Sequence, residues 1–203
     1  PAGFHGVSEN MKPDPYDTET AKKLMAEAGY PDGFKMTIHG PNDRYINDAK
    51  IAEALAQMLN SVGIDASVET MPKAVYFKRA SRGGPNKSPE FSFMLLGWEA
   101  GSGEASSPLK ALLHTYDKSK GLGAANRGRH TDAKVDALIK KALATVDADA
   151  RGKLLAEATE KAVGENYGVI PMHYQVNTWA AKKGYSYLPR TDERTIVTGL
   201  SGS

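Results

Sequence analysis

Hydrophobic and polar positions follow two different periods in the first part of the chain. Residues 18–29, TETAKKLMAEAG, carry apolar side chains at helical spacing, with Asp17 as the cap before the helix and Gly29 as its stop. Residues 34–40, FKMTIHG, instead alternate apolar with polar side chains, as a half-buried strand does. The change of period predicts a helix followed by a strand.

The same alternation continues in the next part of the chain. A helical stripe of apolar residues ends at Gly63, and residues 64–71, IDASVETM, predict a second strand. Pro72 opens a short third helix, and residues 91–97, FSFMLLG, are apolar on successive positions, which is typical of a strand covered on both faces. This order predicts an α/β fold with a mostly parallel sheet flanked by helices. The stripe of the second helix consists of Ile51, Leu55, Met58, Leu59 and Val62.

Two amphipathic helices are predicted in the second half, and Asp147 caps the later one. Residues 167–184 indicate an extended strand interrupted by Pro171, whereas residues 185–203 have no convincing periodicity. Together the helices can cover both faces of the sheet. The apolar stripes are Val135, Leu138, Ile139, Ala142 and Val146 in the earlier helix, and Leu154, Leu155, Ala158 and Val163 in the later one.

Composition narrows the classes of partner. The chain has 203 residues, 40% of them apolar and 25% charged, which suffices for a substantial core in one large or two small domains. With 26 basic and 24 acidic residues, there is no electrostatic reason to expect nucleic acid as a partner. The absence of cysteine excludes disulfides and thiolate zinc sites. No apolar stretch approaches the roughly 18 to 20 residues that span a bilayer.

A candidate binding site follows from the order of the strands. In an open α/β sheet, ligands sit beyond the carboxyl ends of the strands, where the loops are exposed. In the third such loop, GWEAGSGEASS, Trp98 offers a flat apolar surface, and Glu99 or Glu104 could face a cationic group. Alternatively, Trp98 closes the edge of the core and both glutamates are solvated. The residues predicted to line the site are Trp98, Glu99, Gly101, Ser102, Glu104, Asn42, Arg44 and Tyr45.

Several motifs, taken in order, resemble a known family. They are GYPDGF before a strand, a helix ending in QMLNSVGI, a strand ending in MP, the tryptophan of GWEAGSGEASS, the helix TDAKVDALI and the segment VIPMHYQVNTWAAKKGYSY. Their order and spacing are similar to those of the dipeptide and oligopeptide class (family 5) of bacterial extracytoplasmic solute-binding proteins, which serve ABC importers. The resemblance covers nearly the whole chain.

The resemblance implies a domain organisation and a function. Members of this family have two lobes that close on a ligand, and this chain resembles the carboxyl-terminal lobe, with the fold of a type II periplasmic binding protein. We therefore expect residues 1–16 to connect from a missing amino-terminal lobe, residues 17–175 to form the carboxyl-terminal α/β lobe, and residues 176–203 to cross back. The expected protein is a monomeric periplasmic or extracytoplasmic receptor that delivers a peptide or similar small solute to the membrane permease of an ABC importer.

One departure from the family bears on the ligand. Peptide binders of this family commonly carry an aspartate three residues after the loop tryptophan, where it pairs with the peptide amino terminus, but this sequence has Gly101 there. Glu99 or Glu104 could replace that charge. A solute without an ammonium group stays equally open.

Enzymatic alternatives have weak support in the sequence. GSGEAS and GLGAAN approach the dinucleotide motif GxGxxG, but Ser106 and Asn126 stand in place of its last glycine. The five histidines show no HExxH spacing, and no GxSxG elbow follows a strand. We therefore predict no catalytic residues, metal or cofactor. An α/β enzyme domain with a loop-borne site after residues 91–97, and a purely structural interaction domain, remain as alternatives.

A basic stretch in the second half has two interpretations. Arg127, Arg129 and His130 could contact an anion or nucleic acid, or they could form a solvated loop before the next helix. Near-neutral net charge and the lack of interleaved aromatic residues favour the solvated loop.

Overall fold

The computed structural model describes residues 3–190 and 194–202. Residues 1–2 of the predicted connecting segment, and residues 191–193 and 203 of the predicted crossing segment, lie outside that description. The helices are α1 (Thr18–Glu27), α2 (Asp48–Asn60), α3 (Lys73–Arg82), α4 (Ser106–Pro108, continued by a π-helical turn at Leu109–Leu113), α5 (Ala133–Ala144) and α6 (Ala148–Thr159, continued as a π-helix over Glu160–Glu165). Short 3-10 turns cover Pro85–Lys87 and Val197–Gly199. The strands are β1 (Lys35–Pro41), β2 (Asp65–Met71), β3 (Phe93–Met94), β4 (Tyr185–Tyr187) and β5 (Leu200–Gly202).

A parallel sheet in the order β2-β1-β3 forms the centre of the fold. The register of β1 and β2 runs from Lys35 opposite Asp65 to Pro41 opposite Met71. Helices α2 and α3 follow β1 and β2 and pack on opposite faces of the sheet. This arrangement confirms the predicted α/β class with a parallel sheet flanked by helices.

Strand β3 is shorter than the predicted strand over residues 91–97. Its ladder with β1 covers Phe93 and Met94, and the Leu95 amide extends it by one hydrogen bond of 2.8 Å to the His39 carbonyl. The Leu95 carbonyl then accepts a hydrogen bond of 2.6 Å from the Tyr76 hydroxyl instead of from a strand. Sheet pairing therefore stops where a side chain takes over the backbone acceptor.

Two predicted helix caps are present. The Asp17 carboxylate accepts hydrogen bonds from backbone amides in the first turn of α1. At the carboxyl end of α1, Gly29 adopts a φ of 90°, and the Tyr30 amide donates to the Met25 carbonyl at 2.9 Å. Asp147 caps α6 by accepting from the Ala150 amide at 2.8 Å. Local sequence signals thus place these helix ends correctly.

The buried face of α2 differs from the predicted stripe. Ala52 and Ala56 are buried on the sheet, whereas Met58 is 52% exposed. Small side chains let the helix approach β1 closely: the Cβ of Ala52 lies 3.9 Å from the position that a Cβ on Gly40 would occupy. The large residues Leu55, Leu59 and Val62 flank this contact instead of forming its centre.

Helices α5 and α6 do not cover the sheet, contrary to expectation. They pack on each other and on the Leu109–Leu113 turn, and they form a second hydrophobic core. Val146 was predicted to belong to the apolar stripe of α5, but it is 98% exposed because α5 has already ended at Ala144. The core residues of this cluster are Leu109, Leu113, Val135, Ile139, Ala142, Leu155, Ala158, Ala162 and Val163.

The carboxyl-terminal part contains the largest departure from the sequence prediction. Residues 168–182 form neither helix nor strand, although residues 167–184 were expected to be a strand. The backbone of this segment has no strand beside it in the part of the chain that the structure describes, so no ladder forms. In contrast, the stretch after residue 184, which has no periodicity, forms the antiparallel pair β4 and β5. None of the described helices is long and apolar enough to cross a membrane.

Candidate ligand-binding site

A buried carboxylate organises the loop after β1. Asp48 is 4% exposed at the start of α2, and its Oδ2 accepts hydrogen bonds from the amides of Arg44 at 2.9 Å and Tyr45 at 3.0 Å. Its Oδ1 accepts from the Ala49 amide at 2.9 Å. Asn47 completes the turn in the left-handed region, with a φ of 58°. The loop that carries Arg44 and Tyr45 is therefore held by fixed hydrogen bonds.

Tyr45 joins this loop to the loop after β3. Its hydroxyl donates a hydrogen bond of 3.3 Å to the Gly97 carbonyl. A side chain at position 97 would collide with the ring, since a Cβ there would lie 2.6 Å from Tyr45 Cε1. The glycine before Trp98 thus lets the two loops come into contact.

The loop after β2 meets the loop after β1 at the same edge. The Asn42 amide donates to the Met71 carbonyl at 3.1 Å, and the Asp43 carboxylate accepts from the Lys73 amide at 2.6 Å. Backbone and side-chain bonds therefore connect all three loops at the carboxyl ends of the strands, where ligands bind in open α/β sheets.

Trp98 stands at this edge with much of its indole uncovered. It is 46% exposed, and Glu99, Gly101 and Ser102 after it are also exposed. Within residues 3–190 and 194–202, neither the Trp98 indole nor the Glu99 carboxylate makes a hydrogen bond. Arg44 lies on the neighbouring loop with its guanidinium carbon 4.9 Å from the centre of the Tyr45 ring. An aromatic face and an acidic group are therefore uncovered on the loop after β3, and Tyr45 joins that loop to the one that carries Arg44.

Comparison with known proteins identifies the family. Residues 1–120 match the family model described as "Bacterial extracellular solute-binding proteins, family 5 Middle". The chain belongs to family 5 of the bacterial extracellular solute-binding proteins. This membership confirms the resemblance that the sequence motifs indicated.

Curated family 5 relatives are similar over most of this chain. Heme-binding protein A of Haemophilus influenzae is 29% identical over 164 residues, which is 78% of this chain and 28% of that protein. Glutathione-binding protein GsiB of Escherichia coli is 30% identical over 155 residues, covering 75% of this chain and 29% of that protein. The chain therefore spans less than a third of the length of these relatives.

Solved family 5 structures share the fold. HbpA2 from Haemophilus parasuis superposes with a TM-score of 0.79 at 26% identity, over 100% of this chain and 39% of that one. The periplasmic binding protein DppA from Helicobacter pylori, in complex with the peptide STSA, gives a TM-score of 0.68 at 29% identity, over 79% of this chain and 29% of that one. The fold of a periplasmic binding protein is thereby confirmed.

Family membership also decides between a binding protein and an enzyme. Family 5 proteins bind solutes, and three of the relatives named above, heme-binding protein A, GsiB and DppA, are named as binding proteins. In the described parts of the chain, no group of three or more His, Asp or Glu side chains is placed to hold a metal ion. The prediction of a binding protein is confirmed over the enzyme alternative.

Glu104 occupies a different environment from the other predicted site residues. Its carboxylate pairs with the Arg151 guanidinium of α6, with Nε to Oε1 at 2.5 Å and Nη2 to Oε2 at 2.7 Å, and it also accepts from the Ser106 hydroxyl. The Arg151 hydrogen bonds, followed by that of Ser106, lower the pKa of Glu104 to about 2. The adjacent backbone pairs with His5 on both sides of Glu104. Glu104 therefore connects the loop to the helical core, and Glu99 is the acidic residue left on the open surface.

Two supporting residues are absent from the sequence-based prediction. Tyr76 is completely buried, its hydroxyl fixes the Leu95 carbonyl, and burial raises its pKa above the usual range of a phenol. Asp48 is the other. The run of capping groups in PNDRYIND signals a helix start near Asp48, but no sequence pattern shows that its carboxylate turns back to hold the preceding loop.

Proposed function

We propose that this chain is the ligand-binding carboxyl-terminal lobe of an extracytoplasmic receptor that delivers a small solute to an ABC importer. The observation that carries the proposal is the Tyr45 to Gly97 contact, which joins the loops bearing Arg44 and Trp98 into one surface at the carboxyl edge of the sheet. This surface offers exposed aromatic and charged groups on a hydrogen-bonded frame, as a binding site requires.

The proposed solute is a peptide or a peptide-like molecule. Glutathione-binding protein GsiB and DppA in complex with STSA are both relatives, and both names refer to peptides. Heme-binding protein A shows that the family also includes a receptor named for another ligand. Gly101 stands where peptide binders carry an aspartate, and Glu99, two residues earlier, is the free carboxylate beside it. A ligand ammonium group would therefore pair with Glu99, while Trp98 stacks on its apolar part.

The remainder of the pocket is proposed to come from another part of a longer polypeptide. In this proposal residues 1–16 lead in from that part, residues 17–175 form the lobe, and residues 176–203 return towards it. The loops after β1 (from Asn42), β2 (from Pro72) and β3 (from Leu95) together form what we call the three-loop surface. Its open form agrees with a ligand that is covered from a second side. We further propose that the receptor is a periplasmic or extracytoplasmic monomer and that its membrane partner is the permease of the importer.

Calorimetry on the full-length receptor tests the proposal. The probes are glutathione, the peptide STSA and heme, each titrated into protein purified free of ligand. Saturable binding of glutathione or STSA that weakens on Trp98→Ala supports a peptide site at the three-loop surface. Binding of heme alone would contradict the ligand class, and binding that Trp98→Ala leaves unchanged would contradict the site. Native mass spectrometry of receptor purified from its host provides an independent identification of a retained solute.

A further inference from the structure

The Arg127–Arg129 loop and the Ser88–Ser92 segment line an open pocket of about 420 Å³ that lies away from the candidate ligand site. Ser81, which contacts Arg127, is in the last turn of α3, and residues 88–92 precede β3. The pocket therefore lies towards the amino end of β3, whereas the three loops with Trp98 lie at the carboxyl ends of the strands. It is separate from the proposed solute site.

Both arginines are held in place without a carboxylate partner. Arg127 donates from Nε to the Ser81 hydroxyl at 3.1 Å, and its guanidinium carbon lies 5.4 Å from the centre of the Phe77 ring. The Arg129 guanidinium carbon lies 4.5 Å from the centre of the Tyr116 ring. Among the described residues no ion pair involves either guanidinium. Aromatic stacking thus orients two positive charges whose terminal N–H groups are left for a ligand.

The backbone of this loop is fixed by Asn126. Asn126 is 3% exposed; its Nδ2 donates to the carbonyls of His114 at 3.0 Å and His130 at 2.7 Å, and its Oδ1 accepts from the His130 amide at 2.9 Å. Within this clamp Arg129 adopts a left-handed φ of 57°, a conformation that costs free energy for a residue with a Cβ. The two arginines therefore project from a preformed turn.

The acidic residue in the pocket wall, Glu90, is paired with an arginine. Glu90 receives hydrogen bonds from Arg79, with Nε 3.0 Å from each carboxylate oxygen, and these bonds hold the pKa of Glu90 below its usual range. Arg79 also pairs with Glu69, so Arg79, Glu69 and Glu90 together carry one net negative charge. Arg127 and Arg129 carry two positive charges, which leaves the surroundings of the pocket with a positive balance. Ser88 and Ser92 also line the pocket, and the Ser88 hydroxyl donates a hydrogen bond of 3.4 Å to the Pro89 carbonyl.

We propose that this pocket binds an oxyanion, meaning a phosphate or carboxylate group of a small molecule, through Arg127 and Arg129. Two guanidinium groups can each donate a pair of parallel hydrogen bonds to such a group, and serine hydroxyls can add further donors. The volume of about 420 Å³ lies in the range of small-molecule sites. This inference is independent of the proposed solute-binding function.

Hydrogen exchange with mass spectrometry on the full-length receptor tests this site. Inorganic phosphate and succinate serve as separate probes at constant ionic strength, which distinguishes a phosphate source from a carboxylate source. We expect saturable protection of residues 88–92 and 126–130, half-maximal at ~1 to 10 mM of at least one probe. The Arg127→Gln/Arg129→Gln variant should weaken that binding by about tenfold or more.

A control pair removes the same charge elsewhere. Lys118→Gln/Lys140→Gln changes two exposed lysines outside the pocket and should leave the protection unchanged. Arg127→Lys/Arg129→Lys keeps the net charge but loses the planar fork, so it should also weaken binding, and it substitutes for the glutamine pair if that variant unfolds. The proposal would be overturned if Arg127→Gln/Arg129→Gln and Lys118→Gln/Lys140→Gln weakened anion binding equally. It would also be overturned if protection from exchange never saturated, or if a polyglutamate peptide protected when neither small anion did.

Discussion

The Tyr45 hydroxyl bonds to the Gly97 carbonyl across 3.3 Å, so the loop after the central strand and the loop bearing Trp98 behave as one unit. Gly97→Ala would place a Cβ against the ring of Tyr45. Since the displaced atoms are the far end of a side chain, we expect a small loss of unfolding free energy, about 1 kcal/mol or less, and a clear loss of solute affinity. Calorimetry and urea denaturation measure the two effects.

Gly164→Ala is the matched control for that substitution, because Gly164 is exposed and lies outside the candidate site. A Cβ at position 164 would come no closer than 3.9 Å to Met11, so both affinity and stability should persist. In a Tyr45→Ala background, Gly97→Ala should have no further effect on affinity, because the ring it displaces is gone. Additive losses in the double variant would contradict the coupling of the two loops.

Gly33→Ala should be among the most destabilising single changes in the chain. Gly33 has a φ of 75°, and a Cβ there would lie 1.7 Å from the backbone carbonyl oxygen of Gly63. Gly63→Ala is the control, since Gly63 has a φ of 97° with open space around its Cβ position. The control should cost about 1 kcal/mol for its backbone conformation, and Gly33→Ala at least about 2 kcal/mol more. Equal urea midpoints for the two variants would refute this prediction.

Asp48→Ala should loosen the loop that carries Arg44 and Tyr45. It removes the acceptor of three amide hydrogen bonds from a buried position, which typically costs about 1 to 3 kcal/mol. Hydrogen exchange should accelerate at the amides of Arg44 and Tyr45. Asp149→Ala, which changes an exposed carboxylate in the first turn of α6, should leave both stability and exchange near wild type.

The Glu104 to Arg151 pair predicts a pH dependence of stability. The folded-state pKa of Glu104, about 2, lies below its unfolded value of 4.5, so its contribution is fully present above about pH 4.5 and is lost as the pH falls towards 2. Urea denaturation between pH 6 and 2 should therefore show that the free energy of unfolding falls less steeply with decreasing pH for Glu104→Gln than for wild type. Glu157→Gln, which alters an exposed glutamate of α6, should keep the wild-type slope. Identical slopes for wild type and Glu104→Gln would count against the pair.

Trp98→Ala in the full-length receptor should weaken solute binding by about 2 to 4 kcal/mol without unfolding the protein, because the half-exposed indole contributes little to the core. Trp179→Ala is the matched control. Trp179 lies outside the three-loop surface, where its Nε1 donates to the Thr195 hydroxyl and its ring packs on Tyr187. Equal losses of affinity for the two variants would place the solute elsewhere.

The sequence by itself determined the local elements and the family. Periodicity and capping residues placed α1, α2, β1 and β2 because the signals that start and stop them, such as Asp17 and Gly29, act within a few residues. The loops of the candidate site also followed from strand order, since parallel strands direct their carboxyl ends to one edge. Motif order indicated family 5, and the family comparison confirmed it.

Tertiary structure decided which side chains meet. The two glutamates of the Trp98 loop are equivalent in the sequence, but Arg151 of α6 neutralises Glu104 and leaves Glu99 open. Likewise, α2 packs on the sheet through Ala52 and Ala56 and not through its larger apolar residues. The hydrogen bonds of Asn126 hold the basic stretch as a fixed loop with two arginines that have no carboxylate partner among the described residues. Strand pairing after residue 167 also depends on a partner strand and not on composition alone. These outcomes depend on tertiary contacts, such as that between Glu104 and Arg151, which lie 47 positions apart and which no local pattern pairs.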